Sequence, residues 1–235
     1  MPAQPLRIVF ALYPGVTHLD FTGPHQFLSR LPGARVDVAC VGGGRMEADG
    51  LTFADLVDLA AIEACDLICV PGGLGTSEAM LDEAFMAQIR RLAETATWVT
   101  SVCTGSLILA AAGLLESRRA ACHWAWRDQL ALFGAIPDPA RVVRDGRYIT
   151  GGGVTAGIDF ALTVAAEIAG DDYARALQLG LEYAPAPPFD SGRPETAPPD
   201  VLARVQALYG AAMPQRRAAA EAAAARLRAA GGARG

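Results

Sequence analysis

Four short stretches, "LRIVFALY", "ARVDVACV", "CDLICVPGG" and "TWVTSVC", are apolar along nearly their whole length rather than at alternate positions. A strand with one wet face alternates apolar and polar residues, so continuous runs suit strands buried on both faces of a parallel sheet. Between and after the runs stand helical patterns, "LDFTGPHQFLSRL", "SEAMLDEAFMAQIRRLAETA" and "TGSLILAAAGLLE". Strand and helix in alternation predict a doubly wound, mostly parallel α/β sheet with helices on both faces. Ligand sites are then expected at the C-terminal ends of the strands.

Further along, "ARVVRDGRYITGGG" predicts a hairpin turning at Asp145-Gly146, and "VTAGIDFALTVAAEIAG" a helix closed by Gly170. The segment "EYAPAPPFDSGRPETAPPD" is too rich in proline for a helix or a central strand and reads as an arm. From Val201 an Ala/Arg-rich pattern, interrupted at Gly210 and Pro214, predicts a surface or subunit-contact helix with a fraying end. A chain of 235 residues is long enough for one well-buried α/β domain. It is expected over residues 1–182, with 183–235 as an arm and helix packed on that domain or on a partner copy.

Several functions are excluded at this level. All 20 basic residues are arginine, so lysine-dependent Schiff-base, pyridoxal-phosphate and Walker chemistry is ruled out. A net charge of -5 argues against a nucleic-acid partner. No segment offers about 20 uncharged apolar residues for a membrane span, and the first apolar run is too short for a signal peptide. Five cysteines without a framework spacing fit reduced thiols in the cytoplasm. Neither HxxxH nor paired CxxC spacing occurs, so no metal is expected; "CDLIC" would set Cys65 and Cys69 on one side of a strand.

Cys40, Cys65, Cys69 and Cys122 lie in or at the ends of apolar runs and read as packed thiols. Cys103 differs, because "SVCTGS" puts it between a buried-type strand and a helix starting near Thr104, the setting of a nucleophile elbow. A helix N-terminus there would favour its thiolate. "VPGGLG" ends another strand with Gly72 and Gly73, and the Gly73 and Thr104 amides are candidate donors to a developing anion. Asp20, in "HLDFTGP", follows the first strand; it reads either as a helix cap or, if it faces Cys103, as a carboxyl of raised pKa able to carry a proton. His123 in "ACHWAW" is a pocket-lining candidate, and so are Gly152 and Val154 in "TGGGVTAGIDF". Trp124 and Trp126 read as core or interface aromatics.

With Cys103 on an elbow, "PGG" at a neighbouring strand end and Asp20 after the first strand, the chain resembles the ThiJ/PfpI superfamily. Within it "LDFTGPHQFL", "SVCTGSLILAAAGLL", "HWA", "VVRDG" and "LEYAPAPPF" look most like the isocyanide hydratases. The resemblance implies a flavodoxin-like fold, a homodimer, no cofactor, and hydration of an isocyanide to an N-substituted formamide through a thioimidate on Cys103. Asp20 would deliver protons and the Thr104 hydroxyl would orient it. Most of these motifs are shared with ligand domains of AraC-type regulators, which append helix-turn-helix units; after Gly170 this sequence offers an arm and one Ala/Arg-rich helix. A glyoxalase or deglycase is a third reading, although such relatives carry glutamate where Asp20 stands. PfpI-type peptidases have histidine where Thr104 stands, which argues against proteolysis.

Overall fold

The computed structural model describes residues 5–232. β1 (Leu6–Ala11), β2 (Ala34–Cys40), β5 (Leu67–Val70) and β6 (Trp98–Val102) are the four apolar runs. They join β3 (Gly44–Ala48), β4 (Leu51–Asp58), β9 (Val142–Asp145) and β10 (Tyr148–Gly151) in one sheet of order β3-β4-β2-β1-β5-β6-β10-β9. β4, β2, β1, β5, β6 and β10 run parallel, and an antiparallel strand closes each edge. A small pair, β7 (Arg119–Ala120) with β8 (Ile136–Pro137), lies apart from the sheet.

The continuity of the runs follows from burial on both faces. Along β1 and just beyond, Val9, Ala11 and Tyr13 enter one apolar cluster while Ile8, Phe10 and Leu12 enter the other. The first cluster is covered by α2 (Thr76–Ala79), α3 (Glu83–Thr95), α4 (Gly105–Ala111) and α8 (Met213–Gly232), the second by α1 (His18–Leu28), α5 (Ala156–Ala169) and α6 (Asp171–Gly180). β2 is only half-buried over its first residues, because β4 pairs with it solely at Ala39 and Cys40 and leaves the rest as an edge.

The structure departs from the sequence expectations at identifiable points. "SEAMLDEAFMAQIRRLAETA" is two helices: the Asp82 carboxylate accepts from the Ala84 and Phe85 amides at 2.9 and 3.2 Å and starts α3 afresh. The hairpin of β3 and β4 was not expected, although Asp49-Gly50, both at positive φ, is a strong two-residue turn signal. The loop joining β9 to β10 is Gly146-Arg147, one residue later than expected. Cys65 and Cys69 fall in opposite clusters, since β5 begins only at Leu67 and strand alternation does not reach back to Cys65. The C-terminal pattern forms α7 (Pro199–Gly210) and α8, and α8 does not merely lie at the surface. Ala220, Ala223 and Ala224, spaced as one narrow helical stripe, are buried in the core of their own chain.

Candidate active site

β1, β5 and β6 are neighbours whose C-terminal ends open beside the point where strand order reverses, between β1 and β5. Ligands bind at such switch points in open α/β sheets. Asp20 comes from α1, which follows β1; Gly72 and Gly73 follow β5; Cys103 and Thr104 follow β6. Three sequence-distant segments thus meet in one place.

Cys103 has φ 60°, in the left-handed region that side chains other than glycine rarely adopt. Such a residue costs on the order of 1–3 kcal/mol and persists only where its surroundings hold it. Here its amide donates to the carbonyls of Gly151 and Gly152, at 3.1 and 2.8 Å, which ties the elbow to the end of β10. Gly105 lets α4 start against β5, because a Cβ there would lie 2.8 Å from the carbonyl carbon of Val70. The sulfur is buried, and burial first, the Asp20 charge second, push the thiol pKa well up. The amides of Val154 and Thr104 point at the sulfur and work in the other direction. The helix start favours the thiolate as expected, but burial outweighs it and holds the thiol pKa above its ordinary value.

Asp20 is fully buried and caps no helix end. Its Oδ2 accepts from the Gly72 amide at 2.9 Å, while Oδ1 makes no hydrogen bond of ordinary geometry among the described residues. Burial raises its pKa to about 7; contact with Cys103 and the Gly72 amide hold it from rising further. Gly72 must be glycine, as a Cβ would stand 2.6 Å from Thr104 Oγ1 and 2.9 Å from Asp20 Oδ2. The pair therefore consists of a protonated thiol beside a carboxyl that ionises near neutral pH.

The Thr104 hydroxyl was expected to orient Asp20, but it makes no hydrogen bond to it. Its hydroxyl accepts from the Gly73 amide at 3.0 Å and shares a hydrogen with Thr76 Oγ1 at 2.7 Å. Thr76 in turn bonds the Gly73 carbonyl at 2.8 Å and meets the Tyr13 hydroxyl at 3.0 Å. The Gly73 amide is thus occupied rather than free for an anion, and the donors on the sulfur are those of Thr104 and Val154. Tyr13 and Thr76 escaped the sequence analysis; a polar tip ending "LRIVFALY" and a threonine opening α2 were the available signals.

A cavity of about 100 Å³ lies over Cys103, lined by Thr17, Gly73, Leu74, Thr104, His123, Trp126, Val154, Tyr209 and Arg216. Gly152 stands behind the elbow, accepting from Cys103, and does not line the cavity. His123 Nδ1 accepts from the Ala125 amide at 3.2 Å, so the ring proton sits on Nε2. Burial, reinforced by the Arg216 charge, lowers its pKa to about 4, and the neutral ring packs against Trp126 and Tyr209. Trp126 is a pocket wall, with the Arg216 guanidinium 4.5 Å over its ring. Tyr209 and Arg216 come from α7 and α8; no motif in the Ala/Arg-rich pattern marked them. Among the described residues no group of three or more His, Cys, Asp and Glu side chains is placed to hold a metal ion. No described helix is long and apolar enough to cross a membrane.

Residues 6–167 match the DJ-1/PfpI family model. An isonitrile hydratase of Pseudomonas putida is 52% identical over 84% of this chain and 87% of its own. The crystal structure of a ThiJ/PfpI family protein from Pseudomonas syringae superposes with a TM-score of 0.88 at 39% identity, covering 94% of this chain and 90% of that one. An HTH-type transcriptional regulator of Rhizobium meliloti is 31% identical over 57% of this chain but only 42% of its own length.

Proposed function

Since the chain belongs to the DJ-1/PfpI family, we propose that it is an isonitrile hydratase, with Cys103 as nucleophile and Asp20 as proton carrier. The reading rests on one observation above others: a buried carboxyl of pKa about 7, held by the Gly72 amide, beside a protonated thiol on a strained elbow. The similarity to the Pseudomonas putida hydratase over most of both chains supports the same substrate class.

The reaction balances with these two groups and water. Asp20, as carboxylate, takes the Cys103 proton while sulfur forms a bond to the isocyanide carbon. The amides of Val154 and Thr104 favour negative charge on sulfur at that moment. Attack leaves an electron pair on the carbon, and Asp20 returns the proton there, giving a thioimidate, Cys103 S–CH=N–R. Asp20, again a carboxylate, then removes a proton from water as its oxygen bonds the same carbon, and passes that proton to nitrogen. Collapse of that tetrahedral species breaks the C–S bond as Asp20 carries the hydroxyl proton to the Cys103 sulfur, releasing R–NH–CHO. Thr104 is a positioning residue, fixing the Gly73 loop through its hydroxyl.

The same reading places the protein in a reducing cytoplasm, supported by five free, buried cysteines. It also takes the protein as a homodimer, for which the exposed Leu179, Phe189 and Leu208 supply apolar surface. The test is incubation with cyclohexyl isocyanide while N-cyclohexylformamide is followed by proton NMR. Steady formamide production is expected, and none at high protein concentration would sink the proposal.

A further inference from the structure

Arg216 is the one charged side chain lining the cavity over Cys103, and it is half-buried there. Its guanidinium lies over the face of Trp126, and among the described residues it has no carboxylate partner and donates no hydrogen bond. The next residue shows the contrast: Arg217 Nε donates to Glu221 Oε1 at 3.0 Å on the exposed side of α8. The helix that presents Arg216 is anchored, with Ala220, Ala223 and Ala224 in the core and Arg226 donating to the Leu81 carbonyl at 3.0 Å. A fixed guanidinium with every N–H unused is a preformed receptor for a planar anion, which it can bind through two parallel hydrogen bonds. The cavity, about 100 Å³, opens to solvent. Its lining holds both the Cys103 sulfur and the Arg216 side chain, and a bulkier substituent extends outward through its open side.

Resting on the hydratase reading, we propose that Arg216 reads the substituent of the isocyanide, and that the substrate class is an isocyanide bearing a carboxylate. Asp20 is not among the residues lining the cavity, and His123 is neutral, so no lining group opposes an anion at the guanidinium. Arg216 is then a specificity residue that holds the end of the molecule remote from the reacting carbon.

The test compares isocyanoacetate with its methyl ester, which differ in that charge, on the wild type, Arg216→Gln and Arg216→Lys. The wild type is expected to prefer isocyanoacetate. Arg216→Gln should lose about ten- to a hundredfold in kcat/KM on isocyanoacetate, chiefly through KM, and far less on the ester. Arg216→Lys should recover part of the loss. If the wild type shows no preference for the carboxylate, or Arg216→Gln slows both substrates equally, Arg216 does not read the substituent. Refusal of isocyanoacetate while cyclohexyl isocyanide is hydrated overturns this inference alone, whereas turnover of none of the three isocyanides overturns the hydratase reading with it.

Discussion

Replacing Asp20 by asparagine separates the carboxyl's cost to the fold from its use in chemistry. Asparagine keeps the shape and can still accept from the Gly72 amide through its carbonyl oxygen, but it cannot ionise. In the folded chain burial raises the Asp20 pKa from 3.8 to about 7. Below about pH 4 the carboxyl is protonated in both states and imposes no penalty. As pH rises from there to about 7 the unfolded chain ionises and the folded one does not, so folded stability falls; above 7 the loss is constant. A shift of about three units corresponds to about 4 kcal/mol at 1.36 kcal/mol per unit, a ceiling that relaxation of the site lowers. Asp20→Asn should therefore gain on the wild type as pH rises, by up to about 4 kcal/mol between pH 4 and 8, or about 10 °C in Tm for a chain of this size. Urea unfolding of both proteins at pH 4, 5, 6, 7 and 8 measures the gap. A gap constant within about 0.5 kcal/mol, the spread of an ordinary surface substitution, would refute the assignment of a buried, neutral-range carboxyl.

The same ionisation fixes the pH profile of activity: kcat/KM should rise about tenfold per pH unit below the Asp20 pKa of about 7 and level above it, and a profile flat from pH 5 to 8 contradicts Asp20 as the base. Gly72→Ala should lower kcat about a hundredfold, because the new Cβ pushes Thr104 and Asp20 apart, and cost about 1–3 kcal/mol of stability; rate and urea midpoint together check it. Phe160→Ala, which empties a fully buried site between α5 and the sheet, should cost about 3–5 kcal/mol in urea unfolding.

The parallel core was legible because strands buried on both faces have continuous apolar sequences, as in β1 and β5. The antiparallel edge strand β3 was not read, since "GRMEA" alternates too weakly to compete with the Gly-rich stretch before it, and only the Asp49-Gly50 turn signals it. In the site, Cys103, Asp20 and Gly72 sit at strand ends, where sequence order alone brings them near one another. The net upward shift of the thiol pKa was not legible because burial depends on how distant segments close over the sulfur, which no local motif encodes. For the same reason Tyr209 and Arg216 were invisible: they reach the pocket only through the packing of α7 and α8 on the domain, α8 by an alanine stripe on the face that also carries Arg216. The occupied Gly73 amide belongs with these, being set by a threonine thirty-one residues away.

The central claim is that Cys103 forms the bond to the isocyanide carbon. Its most direct test is a single-turnover experiment, protein in excess over cyclohexyl isocyanide, comparing the wild type with Cys103→Ala by formamide formed after a fixed time. The wild type should convert the whole isocyanide and Cys103→Ala no more than buffer does. Conversion by Cys103→Ala at the wild-type rate would contradict the account.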